Sequence, residues 1–179
     1  ASPLHVHLIG VGGIGVSALA RWFLAENWAV TGSDAVKSQV TKDLKKGGLE
    51  VKIGHKIANL HLHKDADLVI KSTAIPDSNP EIRVARKLGL NILSYPEALG
   101  RLTKTYDTIA VSGSHGKSTT TAIVSLILQE AGYDPTVILG TKLKEFGDKN
   151  FRSGKSDWLV IEADEWRAAF LNYSPFISI

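Results

Sequence analysis

A lysine and a serine stand side by side at the end of a short glycine-bearing segment, Gly113-Ser114-His115-Gly116-Lys117-Ser118. The β-branched and apolar run 108–112 before it is typical of a buried strand, and residues 117–131 are typical of a helix. Such a strand, turn and helix form a phosphate cradle, because N–H groups at the helix start point at the anion and the helix dipole favours it. Lys117 would add a mobile positive charge for the β- and γ-phosphates, and the Ser118 hydroxyl could bind Mg²⁺.

The segment is shorter than the general P-loop pattern, which has a glycine five residues before the Gly-Lys pair. Val111 occupies that position here. A glycine turn with a surface lysine is the alternative interpretation. We favour a triphosphate site, because the strand, the turn, the Lys-Ser pair and the helix all occur in order.

A further strand is predicted at 158–161, and three acidic residues follow it, Glu162, Asp164 and Glu165. A carboxylate at the end of a strand beside the phosphate-loop strand is a natural second anchor for the Mg²⁺ of a nucleotide. We predict that Glu162 has this role, because it lies closest to the buried strand. Solvated turn residues are the alternative interpretation.

A second glycine turn, Gly10-Val11-Gly12-Gly13-Ile14-Gly15, lies near the start of the chain. It follows a predicted strand at 5–9 and precedes a predicted helix at 16–27, and Asp34 ends the next strand. This is the setting of a dinucleotide-binding turn, in which the acidic residue contacts a ribose. The turn alone does not identify the ligand, since any diphosphate can lie on such a helix start, and a tight turn without a ligand is a further alternative.

Strands and helices alternate along the chain at spacings that position both turns. They predict an α/β fold, with a Rossmann-like doubly wound parallel sheet in a domain at 1–105 and the start of a P-loop ATPase α/β domain at 106–179. Small polar residues at 72–74 end one of the strands, where open α/β sheets bind ligands. The last strand, at 176–179, has no helix to cover it, so we expect the second domain to be incomplete.

The bulk composition limits the classes of partner. Apolar residues make up 44% of the chain and charged residues 22%, which is ordinary for a globular protein. The net charge of +3 is too small to indicate nucleic acid, and no apolar segment is long enough to span a bilayer. Cysteine is absent, which excludes thiol chemistry and fits a reducing cytoplasm. We expect a cytoplasmic protein without a nucleic-acid or membrane partner.

Taken together, these motifs resemble the Mur ligase family, and the resemblance extends over the chain from about residue 5 to residue 179. Each motif is common by itself, but the set in this order is specific. The segments that carry the resemblance are the glycine turn at 10–15, Gly32-Ser33-Asp34, Gly54-His55, Ser72-Thr73-Ala74-Ile75, Asn79-Pro80-Glu81-Ile82, residues 113–121 and Glu162-Ala163-Asp164-Glu165.

The resemblance implies an ATP-dependent ligase of peptidoglycan synthesis. Such an enzyme joins an amino acid, L-alanine in the branch that this sequence most resembles, to the carboxylate of UDP-N-acetylmuramate through an acyl phosphate. The first module would then hold the UDP-sugar rather than a nicotinamide cofactor. The implied contacts are Gly12, Gly13, Ile14 and Gly15 for the diphosphate, and Asp34, His55, Ser72, Thr73 and Ala74 for the uridine and its ribose.

The resemblance also implies ATP and Mg²⁺ as cofactors, with Ser118 and Glu162 holding the metal. Lys117 and His115 would be catalytic. Lys117 would screen the repulsion between triphosphate and carboxylate. His115 matches the family's histidine in this loop and would contact phosphate or a second metal, with a structural turn histidine as the alternative. The implied ATP contacts are Gly113, Ser114, His115, Gly116, Lys117, Ser118 and Thr119.

Some positions depart from the family pattern. Ser114 and Ser118 stand where threonine is usual and keep the hydroxyl, Val16 replaces a methionine, and Trp166-Arg167 replaces Ser-Asp. Family members also continue far beyond the length of this chain into a carboxy-terminal domain. We therefore expect the amino-terminal part of such a ligase, which binds a UDP-sugar but does not form the amide bond unaided.

Three other functions are compatible with parts of the pattern. The first is the family member that attaches a recycled tripeptide to the same sugar, although residues 12–15 and 79–81 favour the L-alanine enzyme. The second is an NAD-dependent oxidoreductase, which the first turn and Asp34 suggest and the Lys117 cradle opposes. The third is a non-catalytic UDP-sugar sensor.

Overall fold

The computed structural model describes residues 3–61, 65–163 and 166–179. The chain divides into two compact units, residues 1–95 and 96–179. Each unit has its own five-stranded sheet with helices, so the predicted α/β fold is confirmed. The division falls at the start of the helix after the last strand of the first sheet, ten residues before the predicted domain end at 105. Within the described residues, no helix is long and apolar enough to cross a membrane.

The first unit is built on a fully parallel sheet in the spatial order β3-β2-β1-β4-β5. This is a doubly wound order, in which the winding direction reverses between β1 and β4. Ligands of such sheets bind beyond the carboxyl ends of the strands at this point. The strands are β1 (His5–Ile9), β2 (Ala29–Asp34), β3 (Glu50–Ile53), β4 (Leu68–Lys71) and β5 (Ile92–Ser94).

Two helices of this unit start at capping side chains. Ser38 and Thr41 form a reciprocal capping box before the second helix. The Asn79 side chain accepts the Glu81 N–H at the start of the fourth, with Pro80 in its first turn. The third helix was not predicted, since five residues are too few to show helical periodicity. The helices of the first unit are α1 (Ile14–Ala25), α2 (Gln39–Lys46), α3 (Ile57–His61) and α4 (Pro80–Lys87), whereas α5 (Tyr95–Leu102) lies in the second unit apart from its first residue.

The central strand β1 is buried along its whole length, but one of its faces carries both polar and apolar side chains. Ile9 packs with Leu60, Val69 and Ile82 in an apolar cluster. Side chains alternate along a strand, so residues 5 and 7 share this face with Ile9, and both are histidines. These histidines need polar partners inside the unit, and α4 and β2 provide them.

The second unit has the strand order β10-β6-β9-β7-β8, with only the β7–β8 pair antiparallel among its described pairings. This order puts β9 beside the phosphate-loop strand β6, with Glu162 opposite Val111. The antiparallel pair β7–β8 forms a hairpin over residues 136–152. The elements are β6 (Asp107–Val111), α6 (Lys117–Glu130), β7 (Thr136–Leu143), β8 (Lys149–Arg152), β9 (Trp158–Glu162), β10 (Ile177–Ser178) and short 3₁₀ helices at Lys144–Phe146 and Trp166–Asn172.

Candidate functional site

The first glycine turn is tied to the end of β2 by the carboxylate of Asp34. The Gly12 N–H donates to Asp34 Oδ2 at 2.8 Å, and the Val36 N–H donates to Oδ1 at 3.0 Å. The Gly10 N–H donates to the Ser33 carbonyl at 2.9 Å. Asp34 therefore fixes the shape of the turn, whatever else it contacts.

The start of α1 offers open backbone donors. The Gly13 N–H is used within the turn, donating to the Gly10 carbonyl at 3.1 Å, and no side chain caps the helix. Among the described residues, the N–H groups of Gly15 and Val16 have no acceptor. An anion at this point would meet these two groups and the positive end of the helix dipole.

The predicted residues after β4 lie beside this turn. The Ser72 N–H donates to the carbonyl of Ile9, the last residue of β1, at 2.9 Å, and the Ser72 hydroxyl accepts the Ala74 N–H at 3.3 Å. Thr73 is half-buried and Ala74 is exposed. The segment 72–74 therefore lies at the carboxyl edge of the sheet next to the glycine turn, where the winding reverses.

His55 follows β3 at the same edge, and buried polar side chains hold its ring in place. Its Nδ1 lies 2.9 Å from Glu81 Oε1 and 3.2 Å from Ser33 Oγ. The side chain of His55 is 15% exposed, whereas that of Glu81 is fully buried. The structure thus brings Asp34, His55, Ser72 and the glycine turn to one edge of one sheet.

Glu81 is the centre of a buried polar network that the sequence analysis missed. Besides His55, it accepts hydrogen bonds from His7 Nε2 at 2.9 Å, Ser33 Oγ at 2.8 Å and Asn59 Nδ2 at 3.2 Å. Burial alone would raise the pKa of Glu81, but the bonds from His7, Ser33 and His55 lower it below its ordinary value. The histidines at strand positions 5 and 7 were the available signal.

In the second unit, the loop after β6 leaves its backbone donors open. Gly116 has a φ of +79°, a left-handed conformation that favours glycine, and it precedes α6 without a capping side chain. Lys117 Nζ donates to the Gly113 carbonyl at 2.6 Å, so the lysine folds over the loop. In the described part of the chain, six N–H groups of this loop and helix start have no acceptor, those of Gly113, Ser114, His115, Gly116, Ser118 and Thr119. A row of such groups at a helix start forms an anion cradle.

The predicted metal pair is brought together. Ser118 Oγ donates to Glu162 Oε2 at 3.1 Å, and the Gly140 N–H donates to Oε1 at 2.8 Å. A Cβ at position 140 would lie 2.7 Å from Oε2 and push the carboxylate aside, so the glycine lets Glu162 keep this position, which the sequence did not reveal. Asp164 and Glu165 lie outside the described residues.

One hydroxyl and one carboxylate suit Mg²⁺, which binds through few protein oxygens and completes its shell with phosphate and water. Among the described residues, no group of three or more His, Asp and Glu side chains could hold a metal alone. The donor set therefore fits a metal that arrives with a nucleotide.

His115, Ser114 and Thr119 are exposed around the same loop. In the described ranges, His115 makes no hydrogen bond or ion pair, so its ring is available to a ligand. The structural hydrogen bond that was the alternative for this histidine is not present among those residues.

Residues 5–107 match the family model described as Mur ligase family, catalytic domain. Over 176 residues, the chain is 40% identical to a UDP-N-acetylmuramate–L-alanine ligase of Clostridium botulinum (strain Hall), an alignment that covers 98% of this chain and 38% of the relative. The chain therefore spans well under half the length of this curated relative.

Two solved structures are also similar. One is the UDP-N-acetylmuramate-alanine ligase of Thermotoga maritima, with a TM-score of 0.88 and 34% identity, covering 96% of this chain and 40% of that one. The other is the UDP-N-acetylmuramate:L-alanyl-gamma-D-glutamyl-meso-diaminopimelate ligase of Neisseria meningitides, with a TM-score of 0.90 and 27% identity, covering 99% and 60%.

Proposed function

The chain belongs to the Mur ligase family, and from this premise we propose that it carries the nucleotide sites of an ATP-dependent peptidoglycan ligase. The reaction would join L-alanine to UDP-N-acetylmuramate. One observation carries the proposal. Each of the two sheets has a strand followed by a helix whose first N–H groups are open, and these helix starts lie beside Asp34 in the first unit and at Lys117 in the second. Identity of 40% to an L-alanine ligase, against 27% to the tripeptide-adding structure, favours L-alanine.

The first unit would bind the UDP-sugar. The diphosphate would lie at the start of α1, where Gly12 and Gly13 shape the turn, and Ile14, Gly15 and Val16 begin the helix. The uridine and its ribose would lie along the carboxyl edge of the sheet. The side chains and backbone available there are those of Asp34, His55, Ser72, Thr73 and Ala74.

The second unit would bind the phosphates of ATP. Residues 113–119 surround them with N–H groups, and Lys117 Nζ exchanges the Gly113 carbonyl for phosphate oxygens. His115, which is exposed at the loop, contacts the same phosphates. When bound, Mg²⁺ at Ser118 and Glu162 would supply positive charge to the phosphate oxygens.

The chemistry explains the need for these charges. A carboxylate is a poor electrophile, so one of its oxygens first attacks the γ-phosphorus of ATP, releasing ADP and forming an acyl phosphate. The amine of L-alanine then attacks the carbonyl carbon and loses a proton, and inorganic phosphate leaves with the electrons of the C–O bond. Lys117 lowers the repulsion when the carboxylate approaches the triphosphate.

The partners of the chain would be UDP-N-acetylmuramate, ATP and L-alanine, and the setting would be the cytoplasm. The aligned region covers 38% of the Clostridium botulinum ligase and 40% of the Thermotoga maritima ligase, so the proposal for this chain concerns the two nucleotide sites.

Calorimetric titration of the chain with UDP-N-acetylmuramate tests this function, with NADH as the matched comparison. We expect one UDP-N-acetylmuramate per chain and no heat from NADH. Binding of NADH alone would support an oxidoreductase and overturn the proposal. Release of phosphate from ATP on addition of UDP-N-acetylmuramate and L-alanine, at the rate of a working enzyme, would show that the chain is sufficient for catalysis.

A further inference from the structure

We propose that Glu81 is a positioning residue that fixes the protonation pattern of His55, so that Nε2 of His55 accepts a hydrogen bond from the nucleoside of the bound ligand. The side chain of Glu81 is fully buried, so it would act on the ligand through His55. The inference rests on the proposed function, since it places a uridine nucleotide at the carboxyl edge of the first sheet. It adds a specificity determinant to that site.

The first step is the charge of Glu81. Its two oxygens receive four hydrogen bonds, from His7, Ser33, His55 and Asn59. An ionised carboxylate has about four lone-pair sites and no proton to donate, so this set of donors matches the ionised form. Every bond to Glu81 is therefore donated by its partner.

The second step is the proton on His55. Nδ1 has two contacts, Glu81 Oε1 at 2.9 Å and Ser33 Oγ at 3.2 Å. The carboxylate can only accept, and the Ser33 hydroxyl donates its own proton to Glu81 Oε2. Both contacts therefore require a proton on His55 Nδ1. In neutral imidazole the other nitrogen, Nε2, then carries the lone pair.

The third step is the availability of Nε2. Within the described residues, His55 has no other hydrogen bond or ion pair, and no buried side-chain nitrogen or oxygen is without a partner. Nε2 is therefore open to solvent at the edge where Ser33 and Asp34 end β2. An acceptor there cannot bind a diphosphate, which has only acceptors near neutral pH. Its partner would be a nucleoside donor, either the imide N–H of uracil or the 2′-hydroxyl of the ribose.

The last step is the rigidity of the support. His7 Nδ1 lies 2.8 Å from Thr31 Oγ1, which lies 2.9 Å from His5 Nε2. Among the described residues, the titratable groups that face this network are His5, His7, His55, Glu81, Asp67 and, at 3.6 Å from His5 Nδ1, the exposed Asp65. His7 on β1, itself fixed by Thr31, therefore holds Glu81 in place in the ligand-free protein.

The direct test is the ¹⁵N chemical shifts of the His55 ring in the ligand-free chain near pH 7.5, assigned with a His55→Asn variant. We expect an N–H type signal for Nδ1 and an unprotonated signal for Nε2. A proton on Nε2, alone or on both nitrogens, would overturn the proposal. In Glu81→Gln we expect the pattern to become mixed or reversed, because the amide replaces one accepting oxygen of the carboxylate with a donating NH₂ group.

Titration with UDP, CDP and 2′-deoxy-UDP then reads the consequence for binding. Loss of one hydrogen bond predicts affinity for UDP about tenfold weaker in Glu81→Gln. A comparable preference of the natural chain for UDP over CDP would identify the uracil imide as donor, and one for UDP over 2′-deoxy-UDP would identify the ribose. No preference in either pair would contradict the nucleoside contact.

Thr31→Val is the matched control, since it removes a buried hydroxyl of the same network but leaves both contacts of His55 Nδ1. It should lower stability while keeping the His55 ring pattern and UDP affinity within about twofold. Equal losses of UDP affinity in Thr31→Val and Glu81→Gln would show a merely structural role. If the natural chain does not bind UDP at all, the proposed function fails, and the ring shifts still decide the tautomer.

Discussion

Ser118 Oγ lies 3.1 Å from Glu162 Oε2, although the two residues are 44 positions apart in the chain. The contact exists because β9 is the neighbour of β6, so the end of one strand meets the helix that follows the other. Glu162 also accepts the Gly140 N–H, which joins a third strand, β7, to the same point. The proposed metal position is thus defined by the order of the strands.

Gly140→Ala tests the support of this carboxylate. The new Cβ would lie 2.7 Å from Glu162 Oε2 and displace it from Ser118. Changing a residue that holds a metal ligand weakens metal binding or activity by about tenfold or more, so we expect at least a tenfold loss of Mg²⁺-dependent ATP affinity. Calorimetry with Mg·ATP measures it. Gly47→Ala, where a Cβ meets nothing closer than 3.4 Å, is the control and should bind normally.

Lys117→Ala tests the phosphate cradle. Its ammonium group is the mobile positive charge of the loop, so we expect ATP affinity to fall about tenfold or more while UDP-N-acetylmuramate affinity is unchanged. The exposed Lys104 offers a control substitution to alanine away from the loop. Normal ATP binding by Lys117→Ala would argue against the cradle, and equal weakening by both variants would indicate a general effect of charge.

Asp34→Ala tests the link between the glycine turn and β2. The change frees the N–H groups of Gly12 and Val36, which both donate to this carboxylate. We expect a loss of about 1–2 kcal/mol in the free energy of unfolding and a UDP affinity about tenfold weaker, because the start of α1 loses its fixed shape. Urea unfolding and calorimetry measure the two effects. Asp157→Ala on the exposed surface is the control, and unchanged UDP binding in Asp34→Ala would contradict the role of the turn.

Most of the fold was predictable from the sequence because its signals are local. The predictions correctly located both glycine turns, and the strands before them and the helices after them lie within two residues of their predicted bounds. The match over residues 5–107 confirmed the family identification. The structure brings Ser118 and Glu162 within 3.1 Å of each other, because the strand that ends in Glu162 lies beside the phosphate-loop strand, and their role in binding a metal stays a prediction.

The remaining features depend on contacts between distant residues. Glu81 lies in the first turn of α4, yet its side chain is buried and accepts a hydrogen bond from His7, 74 positions away. Gly140 shows no local motif, since its constraint comes from Glu162. The open N–H groups of Gly15 and Val16 are visible only once the bonds of Gly12 and Gly13 are known.

The buried network predicts acid sensitivity. Burial lowers the pKa of His5 from its ordinary 6.5, partly offset by Asp65, so the folded state binds this proton less well than the unfolded state. Stability should therefore fall as the pH drops below about 6.5. The pKa of Glu81, lowered from its ordinary 4.5, gives a second loss below about 4.5, where its carboxylate must be protonated.

Urea unfolding between pH 8 and pH 4 measures this dependence. In a His5→Gln variant, the free energy of unfolding should depend much less on pH near pH 6 but should still fall below pH 4.5. The variant removes the proton that binds to His5, whereas Glu81 still titrates. Stability that is constant or rises as the pH falls from 6.5 to 5 would contradict the assignment.

The most direct test of two separate nucleotide sites is calorimetric titration of UDP-N-acetylmuramate into the chain, with and without saturating Mg·ATP. Two independent sites predict one UDP-N-acetylmuramate per chain in both titrations, with ATP binding still measurable in the sugar-nucleotide complex. Displacement of one ligand by the other, or no heat from UDP-N-acetylmuramate at millimolar concentration, would contradict the assignment of the two loops.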